Sequence, residues 1–272
     1  MEAVKRGETP GERCPDLRLQ AEPRRGSYRL SGRLDYTRRA EYGCRLGQEK
    51  RDGARERKDM TAQQAPWQNK EKAHGYSRWS NLGSRLRYVT LARKIVDSVG
   101  ILAAGSIIVD LGTGPGMLAV ELHKLCPQAK IIGVDPSNAM LKIAGENAAK
   151  AGISNYEVRL GRAEEIPLEA ESADLVVSQS SFHEWADQQK GLSEIFRVLK
   201  PGGRVVLKDY NRAWLSGWKR SFLGLFGHMH MFRFTIGDVA DLLRDAGFAG
   251  IKGDGSEMQW SVQAAKPQES RG

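Results

Sequence analysis

The sequence has few cysteines and no long hydrophobic run, and both absences exclude classes of protein. Its 272 residues contain three cysteines, Cys14, Cys44 and Cys126, an odd number without a metal-binding spacing. Neither a disulfide framework nor a cysteine-based metal site is therefore expected, and we expect a reducing, cytoplasmic location. No stretch reaches the ~18 consecutive apolar residues of a membrane-spanning helix.

Large aliphatic residues are scarce in the first 59 residues. This segment has one Val, five Leu and no Ile, Phe or Trp, which is well under the ~20% content below which a charged chain fails to form a core. Its 16 basic and 11 acidic residues give +5 of the chain's net charge of +9. We predict that residues 1–59 are a disordered basic tail, or that the protein begins at Met60. A basic arm that binds RNA or acidic lipid is the alternative, although the mixed charge disfavours it.

From residue 60 onward, short β-branched segments alternate with segments of helical periodicity. Strands are predicted at 106–111, 130–134, 155–160, 173–177 and 204–208, helices at 117–126, 137–150, 188–199 and 235–246, and a closing β-hairpin at 251–262. This alternation predicts an α/β fold with a doubly wound, mostly parallel seven-stranded sheet and helices on both faces. Ligands of such sheets bind at the carboxyl ends of the strands.

A glycine-rich loop follows the first predicted strand. Residues 109–116 read VDLGTGPG, and the glycines let the chain turn tightly and approach a ligand closely. The spacing is GxGxG rather than the GxGxxG of a dinucleotide site, and Asp110 places a carboxylate at the mouth of the loop. A pyrophosphate would be repelled there, whereas a cation would be attracted. S-adenosylmethionine, which has an ammonium, a sulfonium and no phosphate, suits this loop better than NAD.

A second carboxylate, Asp135, ends the second predicted strand, 19 residues beyond Gly116. A carboxylate ~20 residues past such a loop can accept hydrogen bonds from ribose hydroxyls. NAD sites share this feature, so it supports an adenosine ligand without choosing between the two cofactors. The alternative is a turn residue before Pro136, but beside the glycine loop we favour the ribose role.

Six motifs occur in a fixed order over nearly all of the predicted core: VDLGTGPG, GVDPSNAMLKIA, GRAEEIP, ADLVVSQSSFHEW, IFRVLKPGGRVVLKD and LLRDAGF. In these motifs the chain resembles the class I S-adenosylmethionine-dependent methyltransferases, and it is most similar to the small-molecule group that includes the ubiquinone and menaquinone C-methyltransferases. The resemblance implies methyl transfer to a small molecule. A nicotinamide-dependent oxidoreductase on a similar sheet and a non-catalytic module that binds the same cofactor are the alternatives.

The resemblance also implies which residues bind the cofactor. They are Asp110, Gly112, Thr113, Gly114, Gly116, Asp135, Pro136, Met140, Ala163, Glu164 and Ser178. The glycine loop would face the methionine part, Asp135 would hold the ribose, and Pro136, Met140, Ala163 and Glu164 would contact the adenine. The family often has Asp where this chain has Arg162, which offers no hydrogen-bond acceptor, so backbone groups or Glu164 would replace it.

The loop after the fourth predicted strand, 178–185, reads SQSSFHEW. It lacks the DPPY- or NPPY-like motif of related enzymes that methylate DNA bases or protein glutamine, so we expect a small-molecule acceptor and no nucleic acid. His183 is the candidate general base, because neutral imidazole accepts a proton near neutral pH. A structural histidine that orients the loop is the alternative, and methyl transfer can also rely on alignment alone.

The resemblance further implies a lid and a roof. Residues 60–104 would form an N-terminal helical lid in which Tyr76 and Trp79 contact cofactor or substrate, and 105–272 would form the core. Ordinary packing of these aromatic side chains on the sheet edge is the alternative to the lid. Within the core, the very apolar segment 211–234 would cover the substrate, so we expect an apolar or aromatic acceptor near Tyr210 and Trp214. Additional core, or a helix at a membrane surface, is the alternative for this segment.

No metal is expected. His228 and His230 form an HxH pair, but no carboxylate stands near it in the sequence, and two imidazoles alone are a weak metal signal. The sequence indicates no particular oligomeric state.

Overall fold

The structure is a computed structural model that describes residues 85–215, 228–255 and 258–268. The predicted tail, most of the predicted lid with Tyr76 and Trp79, and the middle of the predicted roof lie outside these ranges. Within them, no helix is both long and apolar enough to cross a membrane.

Seven strands form one sheet in the order β3-β2-β1-β4-β5-β7-β6. They are β1 Ile107–Leu111, β2 Lys130–Asp135, β3 Tyr156–Leu160, β4 Ala173–Gln179, β5 Leu199–Tyr210, β6 Ala249–Gly255 and β7 Gln259–Ala265. Strands β1 to β5 pair in parallel, and β7 runs antiparallel to both β5 and β6. The predicted doubly wound, mostly parallel sheet with a closing hairpin is confirmed.

Five α-helices in the described ranges cover the two faces of the sheet. They are α1 Arg85–Val99, α2 Met117–Leu125, α3 Asn138–Lys150, α4 Gln188–Val198 and α5 Ile236–Asp245. The side chains of β1 alternate between the faces: Ile108 packs with α1 and α2, and Val109 packs with α4 and α5. Because both faces are covered, the strand is apolar almost throughout, as a buried parallel strand requires.

The start of β5 differs from the prediction. The strand was predicted to begin at 204, but Leu199 already pairs with Ala173 of β4, and the pairing resumes at Arg204 with Leu175. Between these two pairs the register shifts, since residues 200–203 of β5 stand opposite Asp174 alone on β4.

The strand order reverses at β1, with β2 and β3 on one side and β4 and β5 on the other. At such a switch point the connections on the two sides leave in opposite directions, and a crevice opens at the carboxyl ends of the strands. The glycine loop after β1 and the loop after β4 border this crevice.

Candidate active site

A cleft lies at this switch point. Nine of the eleven predicted cofactor residues line it: Asp110, Gly112, Thr113, Gly114, Asp135, Pro136, Met140, Ala163 and Glu164. Gly116, at the start of α2, and Ser178, buried within β4, do not. The structure therefore brings together residues from three separate sequence motifs in one concave site.

The glycine loop is held close to β2 and to the loop after β4. The amides of Gly112 and Thr113 both donate to the Val134 carbonyl, at 2.8 and 3.1 Å. Gly112 has φ +73°, and a Cβ at this position would overlap the Ser181 hydroxyl. This position therefore requires glycine for both its backbone conformation and the space available.

Asp135 connects the end of β2 to the glycine loop. Its carboxylate accepts from the Gly114 amide and from the Ser137 amide, each at 2.9 Å. Burial raises the pKa of Asp135 to about 6, although these two amide hydrogen bonds oppose the shift. Each carboxylate oxygen keeps a second lone pair, so the side chain can still accept hydrogen bonds from a ligand in the cleft.

Asp110 lies deeper and is only 2% exposed. Burial raises its pKa to about 7, and the hydrogen bond from the Thr113 hydroxyl, at 2.7 Å, offsets only part of this rise. Because Thr113 donates to Asp110, it accepts from the Tyr156 hydroxyl, which lies 3.1 Å away. Tyr156 was not predicted as a site residue, since it lies on β3 and meets the loop only in the folded chain.

The end of β4 contributes two further features that the sequence analysis missed. Gln179 lines the cleft, and its buried Oε1 accepts no hydrogen bond from the described protein atoms. Ser180, which follows it, has φ +53°, a strained value for a non-glycine residue. A cofactor-binding residue was predicted at the end of this strand, but the residue chosen was Ser178. Its hydroxyl instead forms a hydrogen bond with the hydroxyl of Ser181, at 2.8 Å.

These features fit S-adenosylmethionine. The cofactor brings positive charge and hydrogen-bond donors, which match two buried carboxylates and an unsatisfied amide oxygen. A Cβ on Gly114 would meet none of the described side-chain or backbone atoms within 4 Å, so the loop backbone leaves room for a ligand there.

Glu164 lines the cleft but is already bound to the protein. Its Oε1 accepts from the amides of Ala186 and Asp187, at 2.6 and 3.1 Å, and its Oε2 lies 3.8 Å from Nε of Arg162. Glu164 thus joins the loop after β3 to the loop after β4, and only Oε2 remains available to an adenine.

His183, the candidate base, lies just behind the cleft lining. Its Nδ1 is 2.9 and 3.0 Å from the two carboxylate oxygens of Asp209, and its Nε2 is 3.4 Å from Glu184, which does line the cleft. Burial alone would lower the pKa of His183, but the hydrogen bonds and charges of Asp209 and Glu184 raise it to about 9. The imidazole therefore holds its second proton more strongly than a free histidine does.

Three aromatic side chains form a cluster of ring contacts next to His183. Trp214 stacks on Phe232 with ring centroids 5.5 Å apart, and Tyr210 lies 5.3 Å from Phe232 and 5.8 Å from His183. We refer to Tyr210, Trp214 and Phe232 as the aromatic wall. The described parts of the predicted roof therefore include an aromatic surface next to His183.

The fold and the site together define a class of enzyme. The family model described as a methyltransferase domain matches residues 102–245, more than half of the chain. A structure of a putative S-adenosylmethionine-dependent methyltransferase from Methanococcus maripaludis superposes with a TM-score of 0.62 at 24% identity, over 75% of this chain and 95% of that one. The chain belongs to the methyltransferase domain family.

Curated relatives place the chain within this family more closely. It is 34% identical over 178 residues to the uncharacterized methyltransferase YdaC of Bacillus subtilis, covering 65% of this chain and 92% of YdaC. It is 38% identical over 105 residues to the demethylmenaquinone methyltransferase of Deinococcus radiodurans, covering 38% of this chain and 42% of that protein. In several other relatives the match spans only 28% to 59% of the relative's length. The predicted resemblance is confirmed.

Proposed function

We propose that this chain transfers the methyl group of S-adenosylmethionine to a small apolar or aromatic molecule. The supporting observation is the aromatic wall, whose Tyr210 ring lies 5.8 Å from that of His183. His183 in turn neighbours Glu184, which lines the cleft. Flat aromatic surface favours a flat or apolar acceptor, since each ring pair contributes ~0.5–1.5 kcal/mol beyond the burial of area. The loop sequence SQSSFHEW also supports a small-molecule acceptor over DNA or protein. The low number of cysteines supports a reaction in the cytoplasm.

For the cofactor we propose roles that follow from charge and hydrogen bonding. Asp135 accepts from the ribose hydroxyls, Asp110 faces the positively charged methionine part, and Gln179 accepts from its ammonium. The adenine would be flanked by Pro136, Met140 and Ala163. When bound, S-adenosylmethionine supplies an electrophilic methyl group on a sulfonium. The protein residues hold this group in line with the acceptor, where alignment alone reaches effective molarities of ~10⁵–10⁸ M.

His183 is the proposed proton acceptor for an acceptor molecule that has to lose a proton. Asp209 fixes the ring through Nδ1, so that Nε2 points toward Glu184 at the cleft. The imidazole has to release its own proton before it can accept another one. A histidine held in this way can also act by positioning Glu184, and turnover of a variant distinguishes the two roles.

The acceptor is proposed only as a class. The Deinococcus radiodurans relative is named for demethylmenaquinone, and an apolar acceptor for this chain fits the aromatic wall. Thiol-based chemistry has no support in the described ranges, where Cys126 is buried in the core.

The test is to incubate the purified full chain with methyl-labelled S-adenosylmethionine and a cell extract. We expect label in the apolar small-molecule fraction, in a product one methyl group heavier than its precursor. Label confined to nucleic acid or protein would reject the proposed acceptor class. Retained affinity for S-adenosylhomocysteine without any labelled product would instead favour a non-catalytic module.

A further inference from the structure

Three metal-ligating side chains meet where the loop after β4 faces the short turn His228–Met231. One nitrogen or oxygen atom from each of His183, Glu184 and His230 lies within 4.8 Å of the other two. No metal was expected from the sequence, because no carboxylate stands near the HxH pair along the chain. Folding supplies that carboxylate from Glu184, and a second imidazole from His183.

The spacing of these atoms suits a small transition-metal ion. In a tetrahedral site with bonds of ~2.0–2.1 Å, two ligand atoms lie ~3.4 Å apart, and Nε2 of His183 lies 3.4 Å from Oε1 of Glu184. The ligand atom of His230, which is exposed on its turn, lies within 4.8 Å of the other two.

The third observation concerns the support of His183. Asp209, which is 1% exposed, accepts from Nδ1 of the ring and also from the backbone amides of His183 and Tyr210. A metal ion that binds this ring displaces the proton on Nε2, which faces Glu184, while the proton on Nδ1 stays with Asp209. Metal-binding histidines are commonly oriented by a carboxylate in this manner.

We propose that His183, Glu184 and His230 bind a divalent transition-metal ion, with zinc as the best match. Two imidazoles and one carboxylate form a three-ligand set that leaves a fourth position open, and this set suits zinc better than magnesium, which prefers oxygen ligands. Arg233, which donates to the His183 carbonyl at 3.1 Å, adds positive charge nearby and weakens the site to some degree. Because Glu184 also lines the cleft, the ion stands at its border.

The metal role and the proton-acceptor role of His183 exclude each other at any one moment, since both use the lone pair on Nε2. His230 distinguishes them: the metal site needs its imidazole, whereas the proton-acceptor role does not. Metal binding is measured without methyl transfer, so this proposal and the proposed function fail separately.

The test uses full-length protein without an affinity tag, stripped of metal on a chelating resin. Calorimetric titration with Zn²⁺ measures affinity, and titration with Co²⁺ reports the geometry through its visible absorption. We expect one Zn²⁺ site that weakens at least about tenfold in Glu184→Gln and in His230→Gln, and Co²⁺ bands typical of a low-coordinate site that disappear in both variants.

The matched control is His123→Gln, which removes an imidazole from α2 and should leave Zn²⁺ affinity unchanged. His230→Gln keeps the protein testable because its side chain is exposed, and cooperative thermal unfolding checks that the fold is intact. The proposal is overturned if the wild-type chain binds no Zn²⁺, or if both variants bind it as tightly as the wild type does, which would place the metal elsewhere in the chain.

Discussion

The pKa values of carboxyl groups are shifted in opposite directions in the two halves of the cleft. At the ends of β1 and β2, burial raises the pKa of Asp110 to about 7 and of Asp135 to about 6, and no cationic side chain is among the causes. In the loops after β4 and β5, Glu184 lies beside His183. The hydrogen bond and the positive charge of His183 outweigh the effect of burial, so that the pKa of Glu184 is lowered.

The difference indicates what each half binds. The cofactor half keeps carboxylates that burial alone makes costly to ionise, so a cationic ligand stabilises it. The acceptor half pairs Glu184 with His183 and places the ring of Tyr210 beside that histidine, which fits an acceptor of little charge. Substitutions in the cofactor half should therefore change cofactor affinity, and substitutions in the acceptor half should change turnover.

The largest effect is expected from Gly112→Val. The new side chain meets the Ser181 hydroxyl and forces a β-branched residue into positive φ, which costs about 2–4 kcal/mol of stability. Calorimetry should detect no binding of S-adenosylmethionine. The control, Gly145→Ala in α3, has open space at its Cβ and should stabilise the protein by about 0.5–1 kcal/mol. Undiminished cofactor binding by Gly112→Val would show that the loop does not contact the ligand.

Asp110→Asn should weaken S-adenosylmethionine binding about thirtyfold or more, since removing one partner of a buried charge pair costs about 2–5 kcal/mol. The same substitution should stabilise the cofactor-free protein at pH 8 by about 1–4 kcal/mol, because the variant no longer ionises a buried group. Thermal unfolding and calorimetry measure the two effects. A loss of both affinity and stability would show that Asp110 acts structurally.

The pH dependence of this stabilisation follows from the direction of the shift. The folded pKa of Asp110 is raised above its unfolded value of 3.8, so the wild type loses stability as pH rises from about 4 to about 7. Below that window both states hold the proton, and the variant should then have no advantage. Unfolding curves at acid and alkaline pH check this.

Sequence reasoning found the cofactor half because its signals are local. The glycine loop is contiguous, and Asp135 follows it at a spacing that the strand–helix–strand unit dictates. Alternating segments of apolar residues likewise predicted the sheet and both of its covered faces. At the end of β4 the residue predicted was Ser178, whereas the residue that lines the cleft is Gln179. The local sequence pattern does not determine which residue of a strand end turns into the cleft.

The acceptor half was less predictable because its contacts join distant segments. His183 was chosen for its place after β4, but its partner Asp209 comes from the next strand, 26 residues away. The approach of Glu184 to His230 depends on the turn between β5 and α5, for which the sequence has no periodic signal. Such pairings become visible only when the strands have been placed side by side.

His183→Ala should lower turnover at least about tenfold, the lower range for loss of a general base, while cofactor affinity stays unchanged. The His123→Ala variant removes an imidazole from α2 and should retain full turnover. Steady-state rates on the acceptor found by labelling, together with calorimetry, measure this. A fall in thermal stability with unchanged turnover would assign His183 to a structural role.

The smallest effect is expected from Tyr156→Phe. It removes the hydroxyl that donates to Thr113, at a cost of about 1 kcal/mol or about fivefold in cofactor affinity, and leaves the carboxylate of Asp110 in place. Calorimetry with S-adenosylmethionine measures the change. An effect as large as that of Asp110→Asn would mean that Tyr156 contacts the cofactor directly.

If the buried carboxyl groups of Asp110 and Asp135 become ionised when a cationic ligand binds, binding must release protons, and that release can be counted. Calorimetry at pH 6.5 in buffers of different ionisation enthalpy counts the protons released when S-adenosylmethionine binds. We predict a net release of protons, because the cation lowers the pKa of Asp110 and Asp135, and a smaller release in Asp110→Asn. The absence of any release at pH 6.5 in the wild-type protein would contradict the account.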